Sequence, residues 1–194
     1  MKKYLFLLAL PVSLFLSSCG GETKTDENND DSTVVSDIDY TGMSEFDLEP
    51  HGLMASMMVT DIISENGSPF PVTVVRDTNM LTWDIKVGKE GNEEFYLIIE
   101  ETDGEGNYIK REKDRLASDD VFKEEYLTDE NDLLLYKASL PEGTGQRDYY
   151  HVFGLVKIGK LEYIVHSYAM GDYSEVQARD MLKGIQSLRE PSAI

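Results

Sequence analysis

Two histidines near the C-terminal end offer the main candidate for chemistry in this sequence. His151 and His166 lie in apolar segments on either side of the dipeptide Gly159-Lys160, with Tyr149 and Tyr168 further out along the same segments. Two imidazoles and a tyrosine could form half of a metal site or line a pocket for a small polar ligand. The alternative is that these side chains lie under a helix of the neighbouring layer, hydrogen-bonded and inert. We therefore treat the four residues as candidate ligand-binding residues and assign no catalytic residue, cofactor or metal ligand.

A β-hairpin must position these residues. The segments 149–158 and 161–169 are rich in β-branched and aromatic residues, and the Gly-first dipeptide between them suits a type II′ turn. A two-residue turn fixes the register of the hairpin. It predicts two pairs across the strands: Phe153 with His166, and His151 with Tyr168. The two histidines then share one face of the sheet, roughly 7–8 Å apart.

The opposite face of the hairpin is the drier one, and Gly154 on that face leaves room for a helix to approach. A helix is predicted shortly before Pro191, where Ser174 and Gln177 can form a capping box. Its apolar residues recur at helical spacing: Ala178, Met181, Leu182, Ile185 and Leu188. We expect this helix to pack on the drier face of the sheet.

The remaining elements upstream are mainly strands. Alternating or continuous apolar runs predict strands at 52–61, 72–75, 80–87, 94–101, 122–127 and 133–138. A helix is predicted over Tyr108–Ala117, with Asn107 as its N-cap. This order of elements predicts an α+β sandwich on a largely antiparallel sheet.

Three other motifs are weak candidates for chemistry. The segment 103–107 begins like a calcium loop but lacks the required glycine and the terminal glutamate, which favours an ordinary strand-to-helix connection. The alternating charges of 110–115 are typical of a solvated helix face, with an anion site as the alternative. Four methionines could bind a soft metal but are more typical of core packing. They are Met43, Met54, Met57 and Met58.

Composition excludes several classes of protein. The chain has 194 residues, 41% of them hydrophobic, which is ordinary for a globular protein. Its 18 basic and 37 acidic residues give a net charge of -19, which argues against binding to nucleic acid. A single cysteine excludes a disulfide framework and a cysteine-rich zinc site.

The N-terminus predicts secretion and lipid anchoring. Lys2 and Lys3 precede an apolar run that is too short to span a bilayer but suits a signal peptide over residues 1–18. The sequence Leu16-Ser17-Ser18-Cys19 resembles the lipobox of bacterial lipoproteins, whose cysteine is acylated and becomes the first residue after cleavage. The alternative is an ordinary cleaved signal with a chance cysteine. We expect Cys19 to be lipidated and to tether the protein to a membrane.

An acidic tether is predicted over residues 19–44, ahead of a single domain over 45–194. Lys24 is the only basic residue between Glu22 and Glu49, and such a segment cannot bury enough apolar area to fold. Acidic residues close to a lipidated cysteine resemble the surface-export signals of Bacteroidota lipoproteins, and a passive spacer explains them equally well. Asp31-Ser32-Thr33 resembles a Bacteroidota O-glycosylation sequon, and chance explains that short pattern better.

The folded part resembles PsbP-like and DcrB-like domains. The likeness lies in Lys160–Val165, a short loop and the helix ending Met-Leu-x-x-Ile-x-Ser at Met181–Ser187. Residues 46–61 resemble the first strand of small Bacteroidota lipoproteins with the same α/β/α sandwich. The resemblance implies that fold and a binding or assembly-assisting role at a membrane, and it carries no functional residues.

The sequence therefore predicts a non-enzymatic envelope lipoprotein. We expect it in the outer membrane, on the periplasmic or the exposed side, where its domain binds an envelope protein or a small ligand. The alternatives are a metal-dependent or hydrolytic enzyme built on His151 and His166, and a structural spacer.

Overall fold

Nine strands and two α-helices form over residues 38–104, 106–141 and 147–191, the part of the chain that the computed structural model describes. The strands are β1 (Met43–Asp47), β2 (Ser56–Thr60), β3 (Thr73–Asp77), β4 (Thr82–Lys89), β5 (Asn92–Thr102), β6 (Lys123–Asp129), β7 (Leu133–Ser139), β8 (Asp148–Ile158) and β9 (Leu161–Ser167). The helices are α1 (Tyr108–Ala117) and α2 (Glu175–Ser187). The signal peptide, Cys19 and the glycosylation sequon all lie outside the described residues.

Seven of these strands form one antiparallel sheet in the order β3-β4-β5-β9-β8-β7-β6, and β1 and β2 form a separate hairpin. The predicted α+β fold on a largely antiparallel sheet is therefore confirmed. The described helices α1 and α2 are too short and too polar to cross a membrane.

The start of the fold differs from the sequence-based expectation. The strand predicted over 52–61 is shorter, because Glu49–His51 forms a 3₁₀ turn that ends at Gly52, where φ is 82°. The buried side chains of Leu48 and Leu53 fold the chain back, and Leu48 donates its N–H to the Ala55 carbonyl at 2.9 Å. Strand β1 precedes this turn and begins at Met43, inside the segment that was predicted as tether.

The larger core lies between one face of the sheet and α2. The capping box of Ser174 and Gln177 starts α2, as predicted. At Gly154 a Cβ would lie 2.8 Å from Ile185 Cγ2, so only glycine allows this close approach. The predicted apolar residues of α2 are buried: Ala178, Met181, Leu182, Ile185 and Leu188. The drier face and the phase of the helix are therefore confirmed.

A smaller cluster lies between α1 and the other face of the sheet. Asn107 caps α1, as predicted, by accepting the N–H of Lys110. Ile109 and Leu116 of the helix pack against Leu134 and Tyr136 of β7. Because α1 lies over β7 and β8, several side chains that β5 and β9 place on this face stay half-buried, among them Ile98, Glu100 and His166.

The C-terminal hairpin has the predicted turn at Gly159-Lys160, and Phe153 lies opposite His166. The predicted pair of His151 with Tyr168 is wrong. Strand β9 ends at Ser167, and the next residue donates its backbone N–H to the Tyr96 carbonyl on β5 at 3.2 Å. The hairpin therefore ends before Tyr168 can face His151.

Candidate functional site

His151 is a buried, neutral histidine. Its Nδ1 lies 3.1 Å from the Ser167 hydroxyl, and its ring contacts Tyr136 and Tyr173 at centroid distances of 5.7 and 5.9 Å. Burial, helped by the charge of Arg115, lowers the pKa of His151 to about 4. The imidazole is therefore uncharged near neutral pH, and its contacts are those of a core side chain.

His166 lies on the same face of the sheet but has a charged partner. Its Nε2 lies 3.2 Å from Glu100 Oε1, and its Nδ1 lies 3.0 Å from the Ser167 carbonyl oxygen. Both partners are acceptors, so the imidazolium form satisfies both nitrogens. Desolvation lowers the pKa of His166, but these two hydrogen bonds outweigh it and the net shift is upward.

The two candidate tyrosines belong to separate contacts. Tyr149 meets Phe122 edge-on at 5.8 Å between ring centroids. Tyr168 stacks on Tyr96 at 4.7 Å, and the Tyr96 hydroxyl donates to Asp84 Oδ2 at 2.7 Å. Each tyrosine thus has an aromatic partner of its own, whereas both histidines contact Ser167. Across the described ranges, no group of three or more His, Cys, Asp or Glu residues has the geometry of a metal site.

The other motifs resolve into local contacts. In the loop that resembles a calcium site, Asp103 accepts the hydroxyl of Tyr108 at 2.6 Å. The basic residues of α1 are mostly ion-paired, as expected for a solvated helix face. Lys110 pairs with Asp114, Lys113 with Asp129 and Arg115 with Glu112.

Sequence reasoning missed a groove of about 440 Å³ on the α2 side of the sheet. It lies where the ends of β3, β4, β5, β8 and β9 meet, beyond the part of the sheet that α2 covers. The loop before β2 forms one wall, and Glu190 and Pro191, just after α2, form another. Its volume falls within the range of small-molecule sites.

The groove has a buried apolar floor and an exposed apolar rim. Trp83 and Tyr163 form the floor, and their rings meet edge-on at 6.3 Å. The Trp83 Nε1–H donates to the His51 carbonyl at 3.0 Å, which fixes the indole. The rim consists of Met54 (60% exposed), Leu161 (46%) and Leu81 (40%).

These exposed side chains correct one expectation. Met43 and Met57 are buried and Met58 packs against the core, as predicted for the methionine group. Met54 is not a core residue, because it follows the 3₁₀ turn on a loop and precedes β2. Its thioether side chain instead adds apolar surface to the groove.

Three charged side chains reach the groove: Arg76, Glu101 and Glu190. The guanidinium of Arg76 lies over the Trp83 ring at 5.2 Å. Glu101 faces Tyr163 across the strands, where burial and this carboxylate raise the pKa of the phenol. Within the described ranges, none of the three forms an ion pair.

The groove could not be recognised from any local motif. Its residues come from six separate stretches of the sequence, and none of them belongs to a recognisable catalytic or binding motif. Two signals point to it afterwards. Trp83 is the only tryptophan in the chain, and Leu81 has a φ of 53°, a backbone conformation that is uncommon outside glycine.

Comparison of the chain with protein-family models, curated proteins and solved structures gives no match.

Proposed function

We propose that this protein is a lipid-anchored lipoprotein of the outer membrane and that its folded domain is a non-enzymatic binding module. The signal-like N-terminus with Cys19 after Leu16-Ser17-Ser18 supports the anchor. An antiparallel sheet with two helices supports a PsbP-like or DcrB-like domain, a class that implies binding or assembly assistance.

The groove over Trp83 carries the binding part of this proposal. It joins an apolar floor to an exposed apolar rim. Covering exposed Met and Leu side chains with a ligand removes apolar surface from water, which favours binding. Its charged residues have no ion-pair partner among the described residues. A convergent apolar groove with a few free polar groups is the usual form of a small-ligand site.

The lining supports binding better than catalysis. The described groove residues include no serine, cysteine or histidine, the side chains that most often act as nucleophile or general base. His151 and His166 lie on the α1 side of the sheet, where His151 is hydrogen-bonded to Ser167 and His166 to Glu100.

Trp83 gives a direct test of the groove. The probe is 4-bromobenzyl alcohol, a small neutral molecule whose bromine quenches indole fluorescence at near contact. It is titrated into the full-length protein in lipid nanodiscs. We expect saturable quenching in the parent and a large loss of affinity in Leu161→Asp, which places a charge on the apolar rim. Met170→Asp is the control, since Met170 is 82% exposed and lies outside the groove. Weak, linear quenching that is equal in all three proteins would exclude the groove as a binding site.

Detergent-phase partitioning and membrane fractionation test the anchor. We expect the parent to partition into the detergent phase and to fractionate with the outer membrane, and Cys19→Ala to lose the detergent partitioning. Ser17→Ala keeps a small residue before the cysteine and serves as the control. Unchanged partitioning of Cys19→Ala would contradict the lipid anchor.

A further inference from the structure

Arg76 is the cation of the groove and is held in place without a carboxylate. The ideal position of a Cβ on Gly52 lies 2.2 Å from Arg76 Nη1, so the guanidinium packs against the backbone there. Trp83 supports its other side. Apart from Arg111, every other arginine in the described ranges pairs with a carboxylate. A guanidinium stacked on an aromatic ring keeps its edge N–H groups free for an anion.

Glu101 provides the opposite charge on β5, two strands away from Arg76. In the strand register, Arg76 on β3 lies opposite Trp83 on β4, and Trp83 lies opposite Ile99 on β5. Glu101 lies two residues beyond Ile99 on β5. Two strand spacings and two residue rises place the Arg76 and Glu101 Cα atoms about 12 Å apart. The surface between them is the apolar ring of Trp83 and the side chain of Leu81.

A ligand that satisfies both ends needs an anion and a cation separated by an apolar middle. An apolar ligand with only a negative charge would cover the Glu101 carboxylate without pairing it. A ligand with only a positive charge would leave Arg76 unpaired. In both cases a charge loses contact with water and gains no partner, which reduces affinity. An extended peptide covers about 3.3–3.6 Å per residue, so three or four residues span about 10–14 Å.

From this geometry we propose that the groove binds short apolar peptides with free termini. The peptide carboxylate lies at Arg76, the peptide ammonium lies at Glu101, and apolar side chains cover Trp83 and the Leu81 rim. Glu190 lies at the far end, where Oε1 is 2.7 Å from the ideal Cβ position of Gly159, and longer peptides would reach it. This inference rests on the proposed function, because it assigns a ligand class to the same groove.

Calorimetric titration of the full-length protein in nanodiscs tests the two ends separately. The probes are the tripeptide Leu-Ala-Leu in four forms: free, N-acetylated, C-amidated and blocked at both ends. We expect the free peptide to bind best and each block to weaken binding roughly tenfold, as for the loss of one charge-assisted hydrogen bond.

Variants assign each end to its residue. Arg76→Gln should weaken the free peptide but not the C-amidated one, and Glu101→Gln should weaken the free peptide but not the N-acetylated one. Arg111→Gln is the control for the first, because Arg111 also lies on an aromatic ring, that of Tyr108, but on α1. Glu162→Gln is the control for the second, because Glu162 neighbours Tyr163 on the opposite face of β9.

The outcomes separate this inference from the proposed function. If 4-bromobenzyl alcohol binds while the four peptides bind alike or not at all, the groove is a binding site and the peptide assignment is wrong. If neither the probe nor any peptide binds, both are wrong. A loss of binding to the free peptide in the Arg111 or Glu162 control would also overturn the assignment of the two ends.

Discussion

The two faces of the sheet differ in how their polar groups are satisfied. On the α1 side, His166 pairs with Glu100 and the Tyr96 hydroxyl with Asp84. On the α2 side, the groove holds Arg76 and Glu101 beside exposed apolar side chains, and neither has an ion-pair partner among the described residues. The α1 side carries the two histidines, each with a hydrogen-bond partner, and the α2 side carries the groove and its unpaired charges. Residue type and unpaired charge therefore point to opposite faces of the sheet.

The faces also differ in how much they contribute to stability. The α2 side buries the large core, including Phe95, Leu97 and Ile99 of β5, whereas Ile98 on the other side stays half-buried. Since stabilisation by apolar side chains scales with the area removed from water, neighbouring residues of one strand should contribute unequally.

Comparing Ile99→Ala with Ile98→Ala measures the difference in stability between the two faces, because both variants truncate the same residue type. Ile99 is fully buried, so its truncation leaves a cavity and should lower the free energy of unfolding by roughly 2–5 kcal/mol. Ile98→Ala should cost roughly 1 kcal/mol, because much of the side chain already meets solvent. Chemical denaturation of both variants gives the values, and equal losses would show that the α1 side is as well covered as the α2 side.

The pH dependence of stability tests the neutral state of His151. Its pKa is lowered to about 4 in the folded protein, so between pH 6.5 and 4 the unfolded chain binds more protons and stability falls as the pH falls. The full effect of this one group is roughly 3 kcal/mol. We expect the difference in unfolding free energy between the parent and His151→Gln to shrink by about that amount from pH 7 to pH 4. A constant difference over this range would mean that His151 is accessible to protons in the folded state.

His166 should show the opposite sign and a smaller effect. Its pKa is raised in the folded protein, so protonation of His166 stabilises the fold. This contribution is complete below pH 6.5 and is lost as the pH rises through the folded pKa. Glu100 is 42% exposed, so solvent screening limits the effect to less than about 1 kcal/mol. The cost of His166→Gln should therefore be larger at pH 6 than at pH 9. A cost that grows with pH would contradict the imidazolium state.

Much of the fold was predictable because local signals and burial agree there. The bounds of α1, its cap at Asn107 and the Gly159-Lys160 turn follow from nearby residues. The fold-back at Leu48 was missed although Pro50 and Gly52 are typical turn residues, because it depends on the burial of Leu48 and Leu53 and on the bond from Leu48 to Ala55. The end of β9 was missed for a similar reason, since a contact with Tyr96 on another strand determines where Tyr168 lies.

The candidate site was harder to predict than the fold. The hairpin register correctly placed Phe153 opposite His166. Whether each histidine has a hydrogen-bond partner depends on Glu100, which comes from β5, and on how the hairpin ends at Ser167. The groove lies on the part of the sheet that α2 does not cover. No local sequence pattern in β3, β4 or β5 indicates where that cover ends.

The smallest expected effect concerns Leu81, where the groove and backbone strain coincide. Its φ of 53° is unfavourable for leucine, and its carbonyl is held by the Glu101 N–H at 3.1 Å. Leu81→Ala removes the apolar rim but keeps the strain, whereas Leu81→Asn removes the rim and tolerates this backbone conformation. Asparagine is several-fold enriched there, so Leu81→Asn should be more stable than Leu81→Ala by roughly 0.5–1 kcal/mol. Both should weaken quenching of Trp83 by 4-bromobenzyl alcohol to the same extent. If that holds, the leucine is kept for the apolar surface that it gives the groove, at some cost to stability; if both variants bind the probe like the parent, the strained residue has no part in binding.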